Sequence, residues 1–221
     1  MDRKLINWLG LTGILALISY TAAVVISPIA FPGYDWIAQA VSDLSAESAP
    51  SRMLWNQIAA LYGNCSIVCT TCVSIFVSEK KVFSKLFRVG IHLFTIMNWV
   101  SSIGYTMFPL SDSGQDIASF QETMHIVVTV LVVLLSIASL TILIIAGFKD
   151  KGAHSIGIWA AIALGMMLIG AIGQGLVPPQ FFGIMERFSV FAAVGFNAVL
   201  GLFLFHGFGE TKSNRHASPQ I

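Results

Sequence analysis

The chain has 221 residues, of which 56% are hydrophobic and only 10% charged, and its mean hydropathy is +0.80. A soluble domain is about 25% charged, so this chain cannot cover a water-exposed surface and its solvent is mostly lipid. The net charge of +1 leaves no basic excess for a nucleic-acid partner.

A helix needs about 20 apolar residues to cross a bilayer. Six runs qualify, at 6–29, 54–77, 89–107, 125–148, 156–177 and 188–208. They predict an all-α, polytopic bundle of six transmembrane helices in one domain, 1–208, followed by a polar tail, 209–221. The first run follows Asp2-Arg3-Lys4. It is too long for a secretory signal core and no small-x-small cleavage site follows it, so it reads as a retained helix. Trp8 and Tyr20 suit its interfaces.

Between the first two runs lies the stretch YDWIAQAVSDLSA, 34–46. Ile37, Val41 and Leu44 share one helical face with Tyr34 and Trp36 alongside, which predicts a short helix lying in the interface. Asp43 has two readings, a cap of a turn or helix and a site carboxylate. In the second run Cys65, Cys69 and Cys72 fall on one helical face and read as small packing residues.

Proline closes three of the runs, at Pro28 and Pro32, at Pro109, and at Pro178-Pro179. It lacks the amide donor and clashes with the preceding turn. The segments Phe31-Pro32-x-x-Asp35 and Phe108-Pro109-x-x-Asp112 look alike, from an internal repeat or from shared turn chemistry.

Glu122 and His125 open the fourth run three residues apart, on one helix face. Such a pair is half of a helical di-metal site. No second pair and no HxxxH, HxH or HExxH accompanies it, so neither a metal nor a cofactor is expected. His125 reads as a hydrogen-bonded residue at a helix start or as a general acid or base. Glu122 satisfies the helix dipole or supports a site. Glu186-Arg187 opens the sixth run. Arg187 can pair with Asp43 or hold a phosphate in its fork.

Asn64, Asn98, Ser101, Ser102, Gln174 and Asn197 lie within the runs and are expected to face the bundle interior, since lipid offers no partner. Ala161, Gly165, Gly170, Gly173 and Gly175 let the fifth helix pack closely. No charge sits at the centre of a run, which argues against an ion-coupled transporter.

Alternating the runs sets orientation. With the N-terminus inside, ten of the twelve basic residues fall inside and only Arg52 and Arg187 outside. Asp35, Asp43, Glu47, Asp112, Asp116, Glu122 and Glu186 fall outside. The bias predicts both termini in the cytoplasm and a cytoplasmic (inner) membrane location.

Ser42-Asp43-Leu44, Phe108-Pro109, His125 and Glu186-Arg187 together resemble the pattern of the Domain of Unknown Function 998 family, small six-helix membrane proteins of bacteria and archaea. The resemblance covers nearly the whole chain. It implies the same topology and a site on the outer side, and it implies no substrate. The expected site is an outward pocket of Asp43, His125, Glu186 and Arg187, with Glu122 in support, for a lipid headgroup or similar amphiphile. If it is catalytic, His125 is the acid or base, Asp43 orients it and Arg187 holds a phosphate. The alternatives are a non-catalytic membrane partner, sensor or immunity-type protein whose polar residues staple loops, and a facilitator or channel.

Overall fold

The computed structural model describes residues 3–111 and 119–209. Asp112, Asp116, Lys212 and Arg215 lie outside the described residues. Six helical stretches are long and apolar enough to cross a membrane: Leu5–Ala30, Arg52–Glu79, Lys85–Met107, Phe120–Lys149, His154–Leu176 and Pro179–Phe205. The chain is all-helical among the described residues.

The first stretch holds α1 (Leu5–Leu9) and α2 (Thr12–Ile26), and the second holds α3 (Arg52–Ile58) and α4 (Ala60–Glu79). Then come α5 (Lys85–Met107), α6 (Phe120–Lys149), α7 (His154–Leu176) and α8 (Phe182–Phe205). Several helices begin earlier than hydropathy predicts, because polar residues start them. The Ser119 hydroxyl accepts from the Glu122 amide at 3.1 Å and Glu122 accepts from the Ser119 amide at 2.9 Å, so α6 starts at Phe120. Ser84 caps α5 by accepting from the Phe87 amide at 3.1 Å.

The breaks are also explained by side chains. The Ser19 hydroxyl donates at 2.6 Å to the carbonyl of Ile58, where α3 gives way to α4. A group inserted into the helix ladder interrupts it there. Near the end of α8, the Leu204 carbonyl accepts from Asn7 of α1 at 2.8 Å.

Neighbours in sequence pack side by side, α2 on α4, α4 on α5, and so on to α8, which returns to α2 and closes the ring. Helix α4 also reaches across to α8. Gly10 and Gly201 let the first and last spans touch, since a Cβ on Gly201 would fall on the Gly10 carbonyl oxygen.

Lys4, Lys80, Lys85, Lys149 and Lys151 mark one end of the ring, and Asp35, Asp43, Glu47, Glu122 and Glu186 mark the other. We call these the basic and acidic ends. Near the basic end the interior is apolar, with Phe76, Phe87, Ile91, Leu143, Leu204 and Phe208 packed together. At the acidic end Tyr20, Val24, Val41 and Val194 pack with Trp55, Tyr62 and Phe191.

Two expectations are corrected. Residues 34–44 do not form an interfacial helix. They fold as turns followed by a short 3-10 helix, Ser42–Ser45, whose Leu44 is buried along with neighbouring Val41. Gly33, at φ +81, turns the chain, and the Asp35 carboxylate ties the Ile37 amide at 2.9 Å. Asn64 is exposed and donates to the Ala60 carbonyl of its own helix at 3.1 Å, rather than facing the interior. Tyr20 faces the bundle interior and is 6% exposed. The three cysteines are free, as packing residues would be.

The ring contact is testable. Gly201→Val should cost about 1–3 kcal/mol through overpacking, lowering the thermal midpoint in detergent. Gly165→Ala, where nothing lies within 4 Å of an added Cβ, should leave the midpoint unchanged or raised. Equal effects from both would contradict the close approach of first and last spans.

Candidate functional site

The loop 31–51 has little secondary structure, so its backbone polar groups need partners from elsewhere. Helix α8 supplies them from its first two turns. The Glu186 carboxylate accepts from the amide of Val41 and, at 3.4 and 3.2 Å, from the amide and hydroxyl of Ser42. The Arg187 guanidinium donates at 3.1 Å to the Gln39 carbonyl, at 2.7 Å to the Gly183 carbonyl and at 2.8 Å to the Tyr34 hydroxyl. Tyr34 in turn donates to the Ala40 carbonyl at 2.7 Å. Gly183 admits the loop, because a Cβ there would fall on the carbonyl oxygens of Gln39 and Trp36. The two α8 residues thus anchor the loop across the bundle end.

Asp43 accepts from the Ala40 amide at 3.1 Å, a turn-capping contact. Burial pushes its carboxyl above the ordinary range, partly offset by the Ala40 amide and by Arg187 nearby. The expected Asp43–Arg187 ion pair does not form. The ion pair found among the described residues is Arg52–Glu47 at 3.6 Å, both exposed. Arg187 prefers carbonyls because those loop oxygens have no helical partner.

His125 sits in the second turn of α6. Its Nδ1 lies 2.8 Å from the Phe108 carbonyl oxygen. A carbonyl only accepts, so Nδ1 carries the proton and, in the neutral ring, Nε2 holds the lone pair. Phe108, not Asp43, therefore orients His125. The Tyr105 ring lies 5.1 Å from the imidazole, and its hydroxyl bonds Thr129 at 3.2 Å. Glu122 caps α6 with Ser119. Gln121 joins two loops, donating at 3.0 Å to Glu47 and at 3.0 Å to the Pro109 carbonyl.

Sequence reasoning missed the tyrosines. The chain has four, and all four gather at this end. Tyr20 packs on Tyr62 with ring centroids 4.7 Å apart. Tyr20, Tyr34 and Tyr105 lie within electrostatic reach of Glu186, and Tyr62 within reach of Tyr105. The signal was available, since each tyrosine falls toward the acidic end of its run or in the loop there.

Tyr105 thus links His125 to the Glu186 side of the ring. Asp43, Glu186 and Arg187 meet through the loop, while His125 stands across the bundle. Among the described residues the hydroxyls of Tyr20 and Tyr62 and the Nε2 of His125 have no hydrogen-bond partner. No group of three or more metal-ligating side chains occurs among the described residues.

Asp43 gives a pH test. Its folded-state pKa is raised above the unfolded value near 3.8. The group therefore adds stability below that value, and the contribution is lost as pH rises through the folded pKa. Asp43→Asn keeps an acceptor for the Ala40 amide and has no charge to desolvate. The midpoint of the variant relative to wild type should climb as pH rises above about 4, read by thermal melts. A flat difference would show the carboxyl to be solvated.

No curated protein and no solved structure matches the chain. A family model described as a protein of unknown function, DUF998, matches residues 14–202. That span begins in the first transmembrane stretch, ends in the sixth, and includes every site residue named above. The resemblance carried by Asp43, His125, Glu186 and Arg187 agrees with it, and the chain belongs to the DUF998 family.

Proposed function

We propose that this multi-pass protein lies in a cytoplasmic membrane with both termini inside, and that its outward, acidic end binds the headgroup of a membrane lipid or similar amphiphile. One observation carries the binding reading. Two tyrosine hydroxyls, of Tyr20 and Tyr62, and the half-buried imidazole Nε2 of His125 make no hydrogen bond within the described residues. None of them is among the sealed unpaired atoms, which lie on Ser27, Ser66, Ser136 and Asn197, so they are open to a partner where headgroups would lie. A headgroup would supply the missing hydrogen bonds. His125 is the residue placed to accept a proton, and Asp43 contributes charge. Glu186 and Arg187 support the site by holding the loop over it, with Glu122 fixing the start of α6.

The polar groups thin out toward the basic end, where the phenylalanine-rich core fills the interior. That packing favours binding over passage through a channel.

A second reading has its own observation. Glu186 and three of the Arg187 donors are engaged with the loop and with Gly183. A non-catalytic partner or sensor protein would need nothing more than this staple.

Lipids retained on purification separate the two. His125→Asn keeps a donor toward Phe108 and deletes Nε2, and Tyr62→Phe deletes one hydroxyl. Each should weaken retention of an enriched amphiphile about fivefold, one hydrogen bond's worth, with an unchanged thermal midpoint. Mass spectrometry of lipids on wild type and variants reads this. A wild-type protein carrying only bulk lipid, or variants with the wild-type profile, would leave the staple reading standing. Orientation is checked by Phe182→Cys, which should react with a membrane-impermeant maleimide added to intact cells. Labelling only after lysis would invert the topology.

A further inference from the structure

We infer that the seam between α4 and α5 at the basic end binds the phosphate of an anionic phospholipid, with an acyl chain of that lipid laid along Trp99. This site is separate from the one at the acidic end. On α4 stand Thr71, Ser74 and Ser78, spaced by three and four residues and so on one helix face. His92 and Trp99 meet them from α5. His92 Nδ1 lies 2.5 Å from the Ser74 hydroxyl, and Nε2 lies 3.1 Å from the Ser78 hydroxyl. Trp99 Nε1 donates to the Thr71 hydroxyl at 3.0 Å.

The seam faces out of the bundle. Ser78 is exposed, Trp99 is 42% exposed, and neighbouring Ile75 and Ile96 are 45% and 49% exposed. Hydrocarbon offers a polar group no partner, and two apolar side chains would join the helices there without an imidazole to desolvate. The neutral ring donates from one nitrogen and accepts at the other. In the tautomer with its proton on Nε2, Ser74 donates to Nδ1 and Nε2 donates to the Ser78 oxygen. The Ser78 hydrogen is then left for an acceptor outside the chain.

Charge beside the seam selects that acceptor. Lys85, Arg88 and His92 follow one another on one face of α5, at spacings of three and four. Lys85 is exposed. Arg88 uses Nη1 on the Phe83 carbonyl at 2.9 Å, and its guanidinium makes no other hydrogen bond among the described residues. Lys80 and Lys81 stand in the turn between the helices, beside Glu79. Asp150 also reaches this turn and accepts from the Ser84 amide at 2.9 Å. Cations here still exceed anions, four to two. A hydroxyl hydrogen with arginine and lysine beside it suits an anionic phosphate. Ile96 and Trp99, one and two turns deeper along α5, suit the chain attached to it.

The test reconstitutes full-length protein in phosphatidylcholine vesicles with a minor fraction of lipid carrying brominated chains. Quenching of Trp99 is read as the fluorescence difference between wild type and Trp99→Phe. Brominated phosphatidylglycerol should associate about tenfold more strongly than brominated phosphatidylcholine, the size of one charge-assisted hydrogen bond. Lys85→Gln and Arg88→Gln should each reduce that preference about fivefold, the effect of one basic residue near an anionic surface. Ser78→Ala should reduce it about tenfold. Equal quenching by the two lipids overturns the proposal. A preference that survives unchanged in all three variants overturns the location and leaves the seam as a contact between helices. Inorganic phosphate added at matched ionic strength should not relieve the quenching, and relief would assign the site to free phosphate and overturn the lipid. Lys85 is exposed, so Lys85→Gln against wild type, read as total tryptophan quenching, decides the matter where another variant fails to fold.

Discussion

The carboxylate of Glu186 is the interaction on which the acidic end depends. A chain leaving one span and entering the next must satisfy its backbone at the edge of a solvent that offers no hydrogen bonds. Loop 31–51 has only turns and a short 3-10 helix with which to do so. Glu186 reaches it from a distant part of the sequence and accepts the amides of Val41 and Ser42. Arg187, next along α8, takes the opposite polarity and donates to the Gln39 carbonyl. Two adjacent residues of opposite charge thus serve the two kinds of orphaned backbone group. Burying Val41 and Leu44 beneath that staple then adds apolar contact between the loop and α2 and α8.

The bundle is built unequally along its axis. Toward the basic end, phenylalanine and leucine side chains interlock and Gly10 meets Gly201. Toward the acidic end the ring is filled by tyrosines, whose bodies pack like phenylalanine and whose hydroxyls do not. Tyr20, Tyr62 and Tyr105 come from α2, α4 and α5, and Glu186 and His125 come from α8 and α6. Five of the six spans therefore contribute one polar tip to the same level. No single helix shows this in its own pattern, because each gives only one such residue to the interior.

That distribution explains what was legible in the sequence. The six spans, their proline-marked ends and the family resemblance followed from length, hydropathy and short motifs, which are local properties. Asp43, Glu186, Arg187 and His125 were found because ionisable groups are scarce in this chain and each one stands out. Their pairing was not legible. Charge alone suggested Asp43 with Arg187 and Asp43 with His125, yet each ionic group is met instead by neutral backbone: carbonyls for Arg187 and His125, amides for Asp43 and Glu186. Loops and helix ends at a membrane edge have more unpaired backbone groups than charges, and this competition is invisible until the loop is folded. Residues 34–44 were misread for a related reason. Their apolar spacing of Ile37, Val41 and Leu44 fits a helix, but Gly33 and the Asp35 side chain impose turns that hydrophobic periodicity does not register.

The contrast between residues with partners and residues without them is the strongest argument for a ligand at this end. Stapling a loop requires that its polar groups be matched, and at Glu186, Arg187, Tyr34 and Asp43 they are. It gives no reason for tyrosine rather than phenylalanine at positions 20 and 62. The polar atoms of the described residues that are sealed without a partner lie elsewhere, on Ser27, Ser66, Ser136 and Asn197, and phenylalanine would fill the same volume at positions 20 and 62 as well as tyrosine does. Among the described residues the same mismatch recurs at His125, where Nδ1 is engaged by Phe108 and Nε2 is not. Structural need accounts for the first nitrogen alone. The second, together with the two hydroxyls, is what the proposed headgroup would engage.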